Sequence, residues 1–323
     1  MFISLFVIGG VPPEMVHPGR LAYLLRYYLD ARFAGKKRPY LCGIKLTHRC
    51  TLRCRQCPYW RRPASDLPYE ALVSLLPDLY SRGIRAVIFE GGEPYLWRDK
   101  GYTLADAAGA ARGLFPFVGV TTNGTLPLDF ASPYARETAL PDVIWVSFDG
   151  LRDTHDSLRG PSFARIVENI RSSTHPRIFA NVTINSQNVE EIPGLVWFLR
   201  GLVKGITIQF FYPYGEVEDL TVSKTAREHV LNELIKEKKE GLPVANSLST
   251  LEALKSNSYR CEPWMIADVD PDGSFHHGCY LLNRTEDSNP CARCGFAAHA
   301  EISLAYQLRL DAIAAGRGIL GVF

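Results

Sequence analysis

Six short runs rich in β-branched and aromatic residues recur between residues 41 and 211, with room for a helix or a loop between neighbours. They are Leu41–Leu46 (LCGIKL), Ala86–Phe89 (AVIF), Phe117–Thr121 (FVGVT), Asp142–Ser147 (DVIWVS), Phe179–Ile184 (FANVTI) and Gly205–Phe211 (GITIQFF). Each has strand length and composition. Segments with helical spacing fill the gaps. Leu67–Gly83 places Leu72, Leu75, Leu76 and Leu79 on one face and ends at Gly83. Tyr102–Leu114, Ser162–Ser173 and Val189–Val203 follow the same pattern. Strands alternating with helices predict a parallel sheet with right-handed crossovers. A polar motif follows nearly every strand. That fits an α/β barrel, partial or full, better than an open sheet, because chemistry in such barrels gathers at the C-terminal ends of the strands.

The segments outside this unit divide the chain. Residues 1–38 form an N-terminal segment, 39–215 the α/β core and 216–323 a C-terminal extension, with the boundary near Gly215. Gly19–Ala34 reads as an amphipathic helix through Leu21, Leu24, Leu25, Tyr28, Leu29 and Phe33. It suits the bottom of the barrel, or, with Lys36-Lys37-Arg38 beside it, a peripheral membrane contact. The apolar Met1–Gly10 is too short to span a bilayer. It lacks a basic start and a cleavage site, so a buried strand or docked tail is expected, and a cytoplasmic setting. Thr221–Glu240 reads as a charged helix, Tyr259–Phe296 as turn-rich, and Glu301–Ala315 as a final helix. The formal net charge of +2 and the lack of a long basic stripe argue against a nucleic-acid partner.

Seven of the eight cysteines fall into two groups. In a reducing compartment such clusters read as metal ligands rather than disulfides. Cys42 stands apart in an apolar run and reads as a small core residue. The first group, Cys50-Thr-Leu-Arg-Cys54-Arg-Gln-Cys57, follows the first strand directly. Three thiolates on one loop can grip three irons of a cubane and leave the fourth open to a ligand. Structural zinc is the alternative, but it needs a fourth ligand from His48 or a distant residue.

This arrangement resembles the radical S-adenosylmethionine (SAM) superfamily over roughly Pro39 to Tyr214. The cysteine loop after the first strand is joined by Gly91-Gly92-Glu93-Pro94 after the second and by Thr121-Thr122-Asn123-Gly124 after the third. Ser147-Phe148-Asp149-Gly150 follows the fourth, with Arg159-Gly160 shortly after. Asn185 ends the fifth strand and Tyr212 follows the sixth. The resemblance implies a partial (β/α)6 barrel that holds a catalytic 4Fe–4S cluster on Cys50, Cys54 and Cys57. It assigns SAM binding to Gly91, Gly92, Glu93, Pro94, Asn123, Ser147, Asp149, Arg159, Asn185 and Tyr212. Glu93 is expected to meet the SAM ammonium, Ser147 and Arg159 the ribose and methionine carboxylate, and Tyr212 the adenine. The expected reaction is reductive cleavage of SAM to a 5′-deoxyadenosyl radical, with no side chain assigned as catalytic beyond the cluster. The family usually has an aromatic residue where this chain has Gln56. Tyr59 or Trp60 is the candidate replacement.

The second group is Cys261, Cys279, Cys291 and Cys294. Four thiolates suit a closed 4Fe–4S cluster or a zinc ion. The segment Val269–Cys279 looks like the hairpin of SPASM/Twitch extensions, and four cysteines resemble their one-cluster form. That implies an auxiliary cluster, with zinc the alternative. His276 and His277 read as surface residues. The substrate is open: a small molecule, a lipid or a peptide. Only 49 residues precede Cys50, which counts against a peptide-binding domain on that side. The resemblance also implies an electron donor such as ferredoxin or flavodoxin. A non-catalytic Fe–S or zinc scaffold is the remaining alternative, and the SAM motifs argue against it.

Overall fold

The computed structural model describes residues 18–130, 140–214, 217–281 and 284–320. The apolar Met1–Gly10 and the proposed boundary at Gly215 lie outside them. The six apolar runs form strands β1 (Leu41–Thr47), β2 (Ala86–Gly91), β3 (Phe117–Thr122), β4 (Val143–Phe148), β5 (Ile178–Ile184) and β6 (Gly205–Phe210). Two more, β7 (Ile266–Val269) and β8 (Phe275–His277), come from the C-terminal extension. The sheet order is β8-β7-β1-β2-β3-β4-β5-β6. All neighbours are parallel except β7 and β8. The extension therefore completes the edge of the barrel sheet. A bare β1 would expose unpaired backbone groups, and the apolar β7 covers them.

Besides one short turn of helix at Pro290–Arg293, the helices are α1 (Pro18–Phe33), α2 (Tyr69–Ser81), α3 (Leu104–Arg112), α4 (Arg152–Arg159), α5 (Phe163–Ser172), α6 (Ile192–Leu199), α7 (Lys224–Lys239), α8 (Leu248–Leu254), α9 (Ala297–Tyr306) and α10 (Leu310–Leu320). Two departures from the periodicity stand out. The polar α4 buries only His155 and Leu158, too few for an apolar stripe to show. The expected helix Glu301–Ala315 is two helices, broken where Leu308 adopts a left-handed conformation (φ 63°). The reversal lets Asp311 accept from the Ser249 backbone at 2.7 Å and its hydroxyl at 2.8 Å, at the start of α8.

Side chains alternate across the sheet. Cys42, Ile44, Leu46, Val87, Phe89, Val118 and Val120 join the core shared with the helices. The opposite, concave face is divided. Its lower part is an apolar plug of Ala86, Phe117, Val143, Trp145 and Phe179 with Tyr40, against which Tyr23, Leu24 and Tyr27 of α1 pack. Two glycines make room for the large rings. A Cβ at Gly119 would sit 2.6 Å from Trp145, and one at Gly205 2.4 Å from Phe179. So α1 closes the bottom of the barrel with one face, while Leu25, Leu29 and Phe33 stay exposed on the other. No helix among the described residues is long and apolar enough to cross a membrane.

The upper part of the concave face is polar: Lys45, Glu90, Thr121, Ser147, Thr183 and Gln209 line a cavity of about 260 Å³. The plug beneath it carries a testable load. Trp145 is 7% exposed, and Trp145→Ala is expected to cost about 3–5 kcal/mol. Denaturant unfolding followed by far-UV circular dichroism measures this.

Candidate functional site

The cavity is roofed by the loop that leaves β1. Register slips between Lys45 and Thr47, and this irregularity turns the chain out of the sheet. Gly91 and Gly92 at the end of β2 receive it. A Cβ at Gly91 would lie 2.4 Å from the Thr47 carbonyl oxygen, and one at Gly92 2.2 Å from that of Arg49. Only glycine permits this approach; Gly91 also has φ +136°. Gly92 N–H then donates to Thr47 O at 2.7 Å and Glu93 N–H to Arg49 O at 2.8 Å.

Asn123 braces the same loop from β3. Its Nδ2 donates to Thr51 Oγ1 at 2.9 Å and reaches Cys50 Sγ at 3.4 Å. The far end of the loop is tied to α4, where Arg55 N–H donates to Leu158 O at 2.9 Å. Cys50, Cys54 and Cys57 all line the cavity. Burial raises all three thiols, Cys54 to about 12. A metal centre would replace those protons.

Of the residues expected to meet SAM, Gly91, Gly92, Asn123, Ser147, Asp149, Arg159 and Tyr212 line the cavity. Glu93, Pro94 and Asn185 do not. Glu93 is fully buried, and its carboxylate accepts from Tyr95 N–H at 3.1 Å, Thr122 Oγ1 at 2.8 Å and Asn123 N–H at 2.8 Å. It ties the end of β2 to the end of β3. Asn185 starts the turn after β5, accepting from Gln187 N–H at 2.9 Å.

Asp149 and Arg159 form a buried pair, with Arg159 Nε 2.5 Å from Asp149 Oδ2. Gln56 donates to the same carboxylate oxygen. Asp149 Oδ1 and Gln56 Oε1 are buried with no hydrogen-bond partner, in two residues that line the cavity. His155 beneath them accepts from Asp149 N–H at 3.3 Å, and burial lowers it to about 4, keeping it neutral. Tyr59 lines the cavity beside Gln56. Trp60 instead donates to Cys54 O at 3.0 Å.

The second cysteine group sits against the end of β6. Cys261 and Cys294 are each raised to about 11, first by burial and then by the negative charge of the group's other thiols. Arg227 donates to Cys294 O at 2.9 Å and Asn257 to Cys291 O at 3.1 Å, holding that turn. Phe210 N–H donates to Gly295 O at 3.0 Å. His276 lies 3.4 Å from Asp270 and is half-buried; His277 is exposed. Motif reading missed the cavity residues Lys45, Glu90, Thr183, Gln209 and Tyr280. For the first four the only sequence signal was a polar residue in an otherwise apolar strand; Tyr280 lies in a turn after β8 and had none.

The fold and site are a partial α/β barrel with three cysteine thiols at the mouth of a cavity lined by both charged and aromatic residues. Residues 44–195 match the Radical SAM superfamily, and residues 206–305 match a domain of unknown function (DUF3463). The chain therefore carries a radical SAM domain over residues 44–195. It is 31% identical over 204 residues to Fe-coproporphyrin III synthase of Methanosarcina barkeri, covering 60% of this chain and 49% of the relative. It is 29% identical over 190 residues to pre-heme d1 synthase of Dinoroseobacter shibae, covering 54% and 45%. The chain thus spans about half the length of these curated relatives. In fold it is similar to SuiB of Streptococcus suis bound to precursor peptide SuiA (TM-score 0.61, 14% identity, covering 88% of this chain and 70% of that one). It is likewise similar to anSMEcpe with bound AdoMet (TM-score 0.58, 16% identity, covering 88% and 80%).

The Glu93 brace gives a pH signature. Burial raises its carboxyl from 4.5 to about 7. The folded state then binds more protons than the unfolded state between these values, so this contribution is full below about 4.5 and is lost as pH rises through about 7. Glu93→Gln should remove that slope. The stability advantage of wild type over the variant is expected to shrink from pH 4.5 to pH 7.5 by on the order of 3 kcal/mol. Unfolding of the metal-free protein across pH measures it.

Proposed function

We propose that the chain is a radical SAM enzyme whose substrate is a small molecule drawn into the barrel. The observation that carries this is convergence: the residues of three buried or half-buried thiols, the Asp149–Arg159 pair and Gln56 line one cavity. When bound, a 4Fe–4S cluster and SAM supply the chemistry, one-electron cleavage of a carbon–sulfur bond to give methionine and a 5′-deoxyadenosyl radical that abstracts hydrogen from substrate.

The chain's own residues hold and orient. Cys50, Cys54 and Cys57 would ligate three irons and leave one open. Arg159, fixed by Asp149, offers a cation to a carboxylate. Asp149 Oδ1 and Gln56 Oε1 accept from ligand hydroxyl or amine groups, and Ser147 adds a hydroxyl. The role proposed for Glu93 toward the ammonium passes to the Gly91–Gly92 backbone that it braces. Asn123 steadies Cys50, and Pro94 and Asn185 shape their turns. Tyr212 closes the cavity near the second cysteine group, its hydroxyl donating to Asp287 at 3.0 Å. The apolar plug keeps water from entering through the bottom of the barrel.

Cys261, Cys279, Cys291 and Cys294 are proposed to hold an auxiliary 4Fe–4S cluster. Four thiols with the hairpin-like segment Val269–Cys279 support this reading, and zinc is the alternative. We retain the division into 1–38, 39–215 and 216–323, a ferredoxin or flavodoxin as electron donor, and a cytoplasmic setting, which suits eight free cysteines.

The test is anaerobic reconstitution, reduction with dithionite and addition of SAM. 5′-Deoxyadenosine is expected, and Cys54→Ala should yield none while keeping its far-UV spectrum. Product from Cys54→Ala would overturn the cluster assignment. Changing Cys291 and Cys294 together to Ser should remove about half the iron if both clusters are cubanes. Unchanged iron with loss of zinc would make the second site a zinc site.

A further inference from the structure

The β1–β2 wall of the cavity carries charges that neither cysteine group uses. Lys45 and Glu90 are register partners on β1 and β2. Lys45 is 1% exposed. Its Nζ lies 3.6 Å from Glu90 Oε1, 3.5 Å from Asp268 Oδ2 and 3.3 Å from Asp270 Oδ1. Arg284 pairs with both oxygens of Asp268 and reaches those of Asp270 at 3.1 and 3.0 Å. The Asp268–Asp270–His276 group is therefore committed to two side-chain cations and is not a cation site.

Glu90 differs from the other two carboxylates. Its side chain is 32% exposed and faces the cavity, and its one ion-pair partner among the described residues is Lys45. A carboxylate offers about four acceptor positions, so most of its capacity is open. The backbone is shaped to admit it: a Cβ at Gly43 would lie 2.8 Å from Glu90 Oε1. Asp268, Asp270 and Glu90 share the cations of Lys45 and Arg284, and Glu90 is the most exposed of the three carboxylates. The nearby Tyr59 hydroxyl is buried with no partner, and Tyr59 and Tyr280 present aromatic rings to the same space. The ring faces already hold the protein's own cations, Lys45 and Arg284 at Tyr280 and Arg62 at Tyr59, so the cation preference of this half-open space rests on the Glu90 carboxylate, which attracts cations and repels anions.

We propose that Glu90 anchors the substrate and that the group it holds is a protonated amine. Lys45 acts as a positioning residue that fixes the Glu90 carboxylate from behind. This rests on the cavity being the site of SAM chemistry, and it names the class of molecule that enters beside SAM.

The test uses three probes of one shape: n-butylamine, n-butanol and butyrate. Each is titrated calorimetrically into the reconstituted protein with SAM present, for wild type, Glu90→Gln and Glu90→Asp. SAM affinity is measured on the same samples and reports an intact cavity. Saturable binding of butylamine is expected, stronger than butanol, with none of butyrate. Glu90→Gln should weaken the amine by at least about tenfold, and Glu90→Asp should restore the preference for amine over butyrate. Equal amine binding by Glu90→Gln would overturn the proposal. So would a preference for butyrate or butanol, or no amine binding by protein that binds SAM. Failure of wild type to bind SAM would instead sink the functional reading.

Discussion

The backbone of Gly91 and Gly92 lies so close to that of Thr47–Arg49 that no side chain fits between them. The cysteine loop hangs on this contact. Backbone hydrogen bonds join the end of β2 to the loop leaving β1, Glu93 ties the same point to β3, and Asn123 returns from β3 to Cys50. Each link is short and partly backbone, so the loop inherits the rigidity of the sheet. A cluster site needs that, because its ligands must be positioned before the metal arrives.

The concave face shows how one strand pattern serves two ends. Facing residues are apolar toward the N-terminal ends and polar toward the C-terminal ends. Phe117, Trp145 and Phe179 fill the bottom, and α1 seals it with tyrosines whose hydroxyls reach backbone carbonyls, Tyr23 to Gly83 at 3.1 Å and Tyr27 to Arg38 at 2.6 Å. The plug supplies apolar burial, which offsets the cost of holding Lys45, Asp268 and Arg284 away from water a few residues further up. Stability sits at one end of the barrel and chemistry at the other.

The extension belongs to the same construction. Its β7 pairs with β1, so Asp268 and Asp270 come to Lys45 across more than two hundred residues of sequence. A buried pair of this kind adds little net stability, but breaking it is costly because it strands a charge. It therefore fixes the register in which the second cysteine group approaches the cavity, where Arg227 and the β6 end hold its last turn.

Local sequence determined the strands, because period-two alternation and β-branched runs act over a few residues. It also determined the two cysteine groups and the order of the polar motifs after each strand. Several features were decided only in three dimensions. Glu93 turns inward because its nearest donors, on Thr122 and Asn123, belong to another strand. Helix α4 forms because His155 and Leu158 are buried there, with too few apolar residues to announce it. The chain breaks at Leu308 so that Asp311 can meet Ser249. Alternation shows that Lys45 and Glu90 share a face. Only the pairing of β1 with β7 shows that Lys45 is surrounded by carboxylates while Glu90 is left open, because Coulomb interactions depend on distance in space and not along the chain.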